Sequence, residues 1–146
     1  MPPVSVVLAA RATQYVAGLA GFREGRISEW CASFAGACER ASQVSTELAE
    51  EIAKLETDWN ERAGRPRRDS AAARIIAALP AQPITSAAMI RAAIGASHQR
   101  ALDGLKVLAG AGVVRQITEG GYDRQFAADE LFALIEACEQ RVATAA

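Results

Sequence analysis

The chain has 146 residues, of which 51% are hydrophobic and 5% aromatic, a composition typical of a helix-rich protein with many alanines. Its 16 basic and 17 acidic residues give a net charge of −1, so the chain as a whole is not biased towards charged partners. No apolar run approaches the roughly 20 residues that span a bilayer, and the N-terminal segment lacks the basic lead of a secretion signal. We therefore expect a cytoplasmic protein that does not enter a membrane.

The near-neutral total hides an uneven distribution of charge along the chain. Residues 64–126 contain nine basic and four acidic residues, a net charge of +5, whereas residues 1–63 and 127–146 each carry −3. A positive segment between two negative ones is the pattern of an anion-binding module, and an ordinary solvated surface gives a similar excess. Both interpretations stay open at this point.

Two helices are predicted before residue 63. The first begins after Pro3 and ends between Gly18 and Gly21, and Ser28 is the predicted N-cap of the second. The second helix is amphipathic over about thirty residues, because its apolar positions recur in steps of three and four. These positions are Trp30, Phe34, Ala37, Ala41, Val44, Leu48, Ile52, Leu55 and Trp59. A stripe of this length forms either an intramolecular core or the seam of a homodimer.

A domain boundary is predicted in the segment Ala63-Gly64-Arg65-Pro66-Arg67-Arg68, because glycine and proline end the long helix there. The boundary separates a helical region, residues 1–63, from a second domain, residues 64–146. The second domain begins with a helix whose N-cap is Asp69 or Ser70, and this helix ends at Pro80. Its apolar stripe consists of Ala72, Ile75, Ile76 and Leu79.

The most specific pattern in the chain is a helix-turn-helix. The first of its helices runs from about Ser86 to Ile94, and Gly95 permits the positive φ angle of a tight turn. Ser97 caps the next helix, which runs to about Ala109. The residues that this helix directs inward are Ala101, Leu105 and Leu108. Natural domains with this arrangement usually present the second of the two helices to a DNA groove.

A β-hairpin and a last helix complete the predicted second domain. The hairpin has strands Val113–Ile117 and Tyr122–Phe126 around the turn Thr118–Gly121, and Asp129 caps the last helix. The predicted fold class is therefore mainly α. An N-terminal helical pair with a long amphipathic helix precedes a winged helix-turn-helix of three helices and a β-hairpin, and a C-terminal helix follows.

The N-terminal residues of the third helix of such a module meet base edges in DNA complexes. Here they are Ser97, His98, Gln99 and Arg100. Glutamine pairs with adenine and arginine with guanine through two hydrogen bonds each. Candidate phosphate contacts, which position the domain without reading sequence, are Arg68, Arg74, Lys106 and Arg124. Asp103 argues against DNA, because a basic residue would serve better there, and Gly104 weakens the helix by about 1 kcal/mol relative to alanine. The alternative is a winged helix that docks a protein or mediates dimerisation.

Nothing in the sequence indicates a catalytic, metal or cofactor site. His98 is the only histidine and has no cysteine or histidine near it in sequence, so we predict that it is an exposed residue of the third helix. The three cysteines Cys31, Cys38 and Cys138 are predicted to be small buried thiols in a reducing cytoplasm. We therefore expect no catalytic residue, no metal and no cofactor in this chain.

Several segments, in their order along the chain, resemble one known family. They are Pro2-Pro3-Val4-Ser5-Val6-Val7-Leu8-Ala9, Tyr15–Leu19 with Gly25–Trp30, Arg65–Ile76 and Phe126–Leu131. They are similar to the C-terminal part of long Fic-family proteins, whose core transfers a nucleotide onto protein side chains. In that family the first two segments follow the catalytic helix-loop, the third joins the core to a winged helix, and the fourth closes that domain.

The chain departs from the family at its catalytic signature. That signature is His-Pro-Phe followed by Asp/Glu-Gly-Asn-Gly-Arg, whereas His98 is followed by Gln99. Without the histidine there is no general base, and without the glycine-rich loop there is no phosphate cradle. The resemblance implies a non-catalytic winged-helix accessory or recognition module of a Fic-type protein-modifying enzyme, whose partner is a protein or duplex DNA.

The resemblance also implies that the N-terminal helices lack their natural packing surface, so we expect a homodimer through the long helix. The alternative function is a stand-alone, winged-helix DNA-binding transcriptional regulator with a helical dimerisation arm.

Overall fold

A computed structural model describes residues 4–118 and 124–144, and within these ranges the protein is mainly helical, as predicted. The helices and strands in chain order are α1 (Val4–Ala10), α2 (Ala12–Arg23), α3 (Ile27–Arg62), α4 (Ala71–Ala78), β1 (Ile84–Ser86), α5 (Ala87–Ile94), α6 (His98–Gly110), β2 (Arg115–Gln116), β3 (Gln125–Ala127) and α7 (Asp129–Thr144). The chain divides into two compact units, Met1–Glu50 with Ile135–Ala146, and Glu51–Leu134, whose limits fall within α3 and α7.

The N-terminal segment of the first unit forms two helices where the sequence predicted one. α1 and α2 meet at Arg11 with a bend of 96°. The Arg11 amide donates to the Leu8 carbonyl oxygen at 3.1 Å, which closes a tight turn. Val7 of α1 is buried in a core with Ala41 and Val44 of α3, and the bend is a tertiary feature that helical periodicity does not encode.

The first unit also corrects two smaller predictions. α3 already begins at Ile27, so Ser28 lies inside the helix and is not its N-cap. Of the three cysteines, Cys138 is buried in the core and Cys38 is half-buried, but Cys31 is exposed. Cys31 follows Trp30 directly on α3, and one residue turns a helix by about 100°, so its thiol leaves the apolar stripe.

No single helix within residues 4–118 and 124–144 has both the length and the apolar composition needed to cross a bilayer. α1 and α2 reach the required length and apolar composition only when the two helices are counted together across the bend.

In the second unit α4 and its cap follow the sequence prediction. The Ser70 side chain accepts a hydrogen bond from the Ala73 amide at 3.3 Å, so Ser70 rather than Asp69 is the N-cap. The predicted stripe is the buried face of the helix. Its residues Ala72, Ile75, Ile76 and Leu79 are all at most 6% exposed.

The segment from β1 to α6 is organised by a turn that the sequence also predicted. Gly95 has φ of 63°, in the left-handed region where a side chain would be strained. Ser86 caps α5 through the Met89 amide at 3.4 Å, and Ser97 caps α6 through the Arg100 amide at 3.3 Å. The inward-facing residues of α6 are Ala101, Leu105 and Leu108, each fully buried.

The sheet contains a strand that was not predicted. Its order is β1-β3-β2, and both pairs are antiparallel, with Thr85 opposite Phe126 and Gln116 opposite the same Phe126. β2 is shorter than the predicted Val113–Ile117 strand, because the amides of Val113 and Val114 donate to the Leu108 carbonyl oxygen of α6 at 2.9 and 3.5 Å instead of to a strand. The predicted turn beyond Thr118, and residues 122 and 123 of the returning strand, lie outside the described residues.

Within the second unit, hydrogen bonds join the C-terminal end of α3 to the first turn of α7. Trp59 is fully buried, and its indole Nε1 donates to Glu130 Oε2 at 2.6 Å. The Arg62 guanidinium donates to the same carboxylate and pairs with Asp58 Oδ2 at 2.8 Å. The hydrogen bond to Glu130 raises the pKa of Arg62, and this effect is larger than the opposing effect of desolvation. Trp59 is therefore a core residue, the first of the two roles predicted for the apolar stripe of the long helix.

Candidate functional site

The first turn of α6 is the part of the second unit that the sequence nominated for contact with a ligand. Ser97, His98, Gln99 and Arg100 are all exposed. The Ser97 hydroxyl accepts the hydrogen bond that caps the helix, so it has a structural role already. His98 is exposed, as predicted for the only histidine of the chain.

Asp103 joins two of the nominated residues on the surface of α6. Gln99 Nε2 donates to Asp103 Oδ1 at 2.8 Å, and Lys106 Nζ lies 4.0 Å from the same oxygen. The carboxylate therefore engages the amide group that would read adenine and offsets the charge that would meet a phosphate. It also places a negative charge one turn from the residues that would enter a DNA groove.

The uncompensated positive charge of this unit lies on arginines. Arg68 and Arg74 are exposed and have no ion pair within the described ranges, and the same holds for Arg91, Arg100 and Arg124. Arg115, by contrast, forms two hydrogen bonds to the Asp129 carboxylate, at 2.6 and 3.0 Å. This hydrogen bonding lowers the pKa of Asp129, and it ties β2 to the first residue of α7.

A shallow groove runs between the start of α4 and α6. Arg100 lines it together with Arg67, while Asp69 and Asp103 contribute negative charge to the same groove. The sequence predicted Arg68, within the Arg-Pro-Arg-Arg run, as a phosphate contact. The arginine of this run that lines the groove is Arg67. Of the eight predicted contact residues, Arg100 lines this groove. The predicted phosphate contacts Arg68, Arg74, Lys106 and Arg124 do not line it.

Gly104 also lines this groove, and it does more than weaken the helix as the sequence predicts. A Cβ atom at Gly104 would lie 2.7 Å from Ile75 Cδ1 and 3.1 Å from Ala71 Cβ. The missing side chain is therefore what lets α6 approach α4 closely. Small residues on both predicted helices, Ala71 and Gly104, are the sequence signal that indicates such an approach.

The described residues contain no group of three or more histidine, cysteine, aspartate or glutamate side chains that could hold a metal ion. No family model matches the chain, and the comparison with curated proteins finds no related sequence. The resemblance to Fic-family proteins accordingly depends on the quoted segments of this chain.

Proposed function

We propose that the second unit is a winged helix-turn-helix and that it serves as a recognition module for a protein partner. The observation that carries the proposal is the connection between α5 and α6. Gly95 in the left-handed region and Ser97 at the cap hold the two helices in the turn, and the first turn of α6 projects into solvent. The pairing of β2 with β3 supplies the hairpin side of such a domain.

Protein is the better-supported ligand because of Asp103. DNA binding draws most of its affinity from phosphate neutralisation, and a carboxylate that is paired with Gln99 and close to Lys106 opposes it. The groove beside α6 is lined by two arginines and two aspartates together with Gly104 and Val107. A lining that combines charges of both signs with apolar groups suits a protein surface better than a polyanion.

We further propose that the chain is a non-catalytic accessory part of a Fic-type protein-modifying enzyme. The first unit supports this with several large apolar side chains that are partly exposed to solvent. The exposed fractions are 63% for Val16, 44% for Phe22 and 53% for Ile27. We take these exposed apolar side chains as support for a packing partner, which a Fic core would supply.

A nucleotide-transfer assay tests the accessory role. We expect the purified chain alone, incubated with ATP labelled at the α-phosphate, to transfer no label to itself or to added protein. Mixed with a Fic catalytic core from the same genome, it should form a stoichiometric complex that Val16→Asp disrupts and the matched surface change Met89→Asp preserves. Labelling by the chain alone would contradict the non-catalytic role, and lack of complex formation would contradict the accessory role.

The second candidate is a stand-alone DNA-binding regulator, which the unpaired arginines Arg68, Arg74 and Arg100 favour. It predicts salt-dependent binding to duplex DNA, with a loss of about a thousandfold between 50 and 200 mM salt for six phosphate contacts. In that case Arg100→Ala would relax sequence selectivity, whereas Arg68→Ala would weaken binding to all sequences alike. A regulator would also be a symmetric dimer with its two α6 helices about 34 Å apart.

A further inference from the structure

The first unit contains a cavity of its own. Its volume is ≈ 240 Å³, and residues of α1, α2 and α3 line it. The apolar part of the lining includes Leu8, Tyr15, Trp30 and Phe34. The two helices on either side of the 96° bend at Arg11 both contribute to the lining, as does Arg11 itself.

Three aromatic rings form one wall of this cavity. The ring centroids of Tyr15 and Trp30 are 5.4 Å apart, and those of Trp30 and Phe34 are 6.0 Å apart. The absence of a side chain at Gly18 leaves room for the indole, since a Cβ atom there would lie 2.9 Å from Trp30 Cε3. The aromatic wall is thus a packed arrangement with a defined geometry, suited to stacking against another ring.

Two guanidinium groups lie on the cavity lining, and no aspartate or glutamate does. Arg11 has no ion pair within the described ranges. Arg40 Nη1 lies 3.9 Å from Glu47 Oε1, and the two side chains are 39% and 56% exposed, so this pair is weak. Gln14 and Ser33 add neutral hydrogen-bonding groups to the same lining. The cavity therefore combines an aromatic wall with an uncompensated positive charge.

We propose that this cavity binds a small aromatic carboxylate. The ring packs against Tyr15, Trp30 and Phe34, and the carboxylate accepts hydrogen bonds from Arg11 and Arg40, for which planar carboxylates are the matching partners. The volume, below the roughly 300 Å³ of drug-sized sites, suits a ligand of about ten non-hydrogen atoms. The proposal does not depend on the function of the second unit.

Titration of tryptophan fluorescence with phenylacetate tests the proposal. We expect saturable binding with a Kd below about 1 mM, the range that a ligand of this size reaches in a preformed site. Phenylacetamide has the same shape without the charge and should bind at least about tenfold more weakly. Trp30→Phe should remove the fluorescence change while calorimetry still detects binding, because the remaining Trp59 belongs to the second unit.

The charge requirement is tested by the double variant Arg11→Gln with Arg40→Gln, which should weaken phenylacetate binding at least about tenfold. The matched control is Arg23→Gln on α2, an exposed arginine that does not line the cavity. Circular dichroism verifies that all variants fold. Equal affinity for acid and amide, equal loss in the control, or no saturation below about 10 mM would each overturn the proposal.

Discussion

Gly104 is the residue at which local propensity and tertiary packing disagree most clearly. Glycine inside a helix costs about 1 kcal/mol relative to alanine, so α6 would be more stable by itself with a side chain there. The packing of α6 on α4 requires its absence, because Ile75 Cδ1 occupies the position within 2.7 Å of a Cβ atom. Ile75 is fully buried, so its side chain has little room to move away.

We therefore predict that Gly104→Ala lowers the free energy of unfolding by about 1–3 kcal/mol, the usual cost of overpacking. The matched control is Gly36→Ala in α3, where a Cβ atom meets nothing within 4 Å. That change should raise the free energy of unfolding by up to about 1 kcal/mol. Urea denaturation followed by circular dichroism measures both, and stabilisation by Gly104→Ala would contradict the packing argument.

Asp129 gives a prediction about pH at the same scale. The Arg115 guanidinium lowers the pKa of this carboxyl below its ordinary value of 3.8. The folded state then binds fewer protons than the unfolded state, so the pair stabilises the fold above pH 3.8 and loses its effect as the pH falls through the folded-state pKa.

We accordingly expect Asp129→Asn to reduce the urea midpoint at pH 7 and to make no difference well below that pKa. Added salt should reduce the effect at pH 7, since both side chains are exposed. Glu139→Gln, an exposed change on the same helix, is the control. A difference between Asp129→Asn and the wild type that grows as the pH falls would contradict the ion pair.

At the scale of elements, the sequence predicted what depends on local chemistry. The caps Ser70 and Ser97 and the turn at Gly95 follow from side-chain oxygens and backbone freedom within a few residues, and the structure confirms all three. β1 was missed because a strand of three residues carries no alternating pattern, and it exists only through pairing with β3. The bend at Arg11 was also missed, because it goes with the tertiary packing of Val7 and leaves no local pattern in the sequence.

The candidate site was predictable only as a set of residues. The exposure of the first turn of α6 follows from the helical pattern, since Ala101, Leu105 and Leu108 face inward. The pairing of Gln99 with Asp103 was not foreseen, although the two residues are four apart on a helix and such pairs are neighbours. The contribution of Arg67 to the groove depends on how the loop before α4 runs, which no sequence period describes.

Asp103 provides the prediction at this scale. Asp103→Asn removes the negative charge beside Gln99 and Lys106, so we expect weak, non-specific binding to duplex DNA to become detectable at low salt. Glu139→Gln changes the net charge equally on α7 and should have no such effect. Fluorescence anisotropy with a labelled random duplex measures both. Equal behaviour of the two variants would contradict the inhibitory role that we assign to Asp103.

For the whole molecule, the exposed apolar side chains of the first unit bear on its oligomeric state. Ala41 and Val44 of the long α3 stripe are buried inside the monomer, whereas Ile27 at the start of α3 is 53% exposed. If two copies associate through α3, Ile27→Asp should convert the dimer to a monomer in sedimentation velocity runs. Met89→Asp, at an exposed position of α5, should leave the dimer intact. A wild-type protein that sediments as a monomer would contradict the predicted homodimer.

Binding of the wild-type chain to duplex DNA at low ionic strength tests the central claim most directly, because the two proposed roles of α6, docking a protein and entering a DNA groove, predict opposite results. DNA-binding domains bind even non-specific duplex with Kd values of about 1–100 μM at physiological salt, and more tightly when the salt is lowered. We predict no saturable rise in fluorescence anisotropy at about 50 mM salt with protein up to the same range of concentrations. Saturable binding that weakens steeply as salt is added would contradict the account and establish the second unit as a DNA-binding domain.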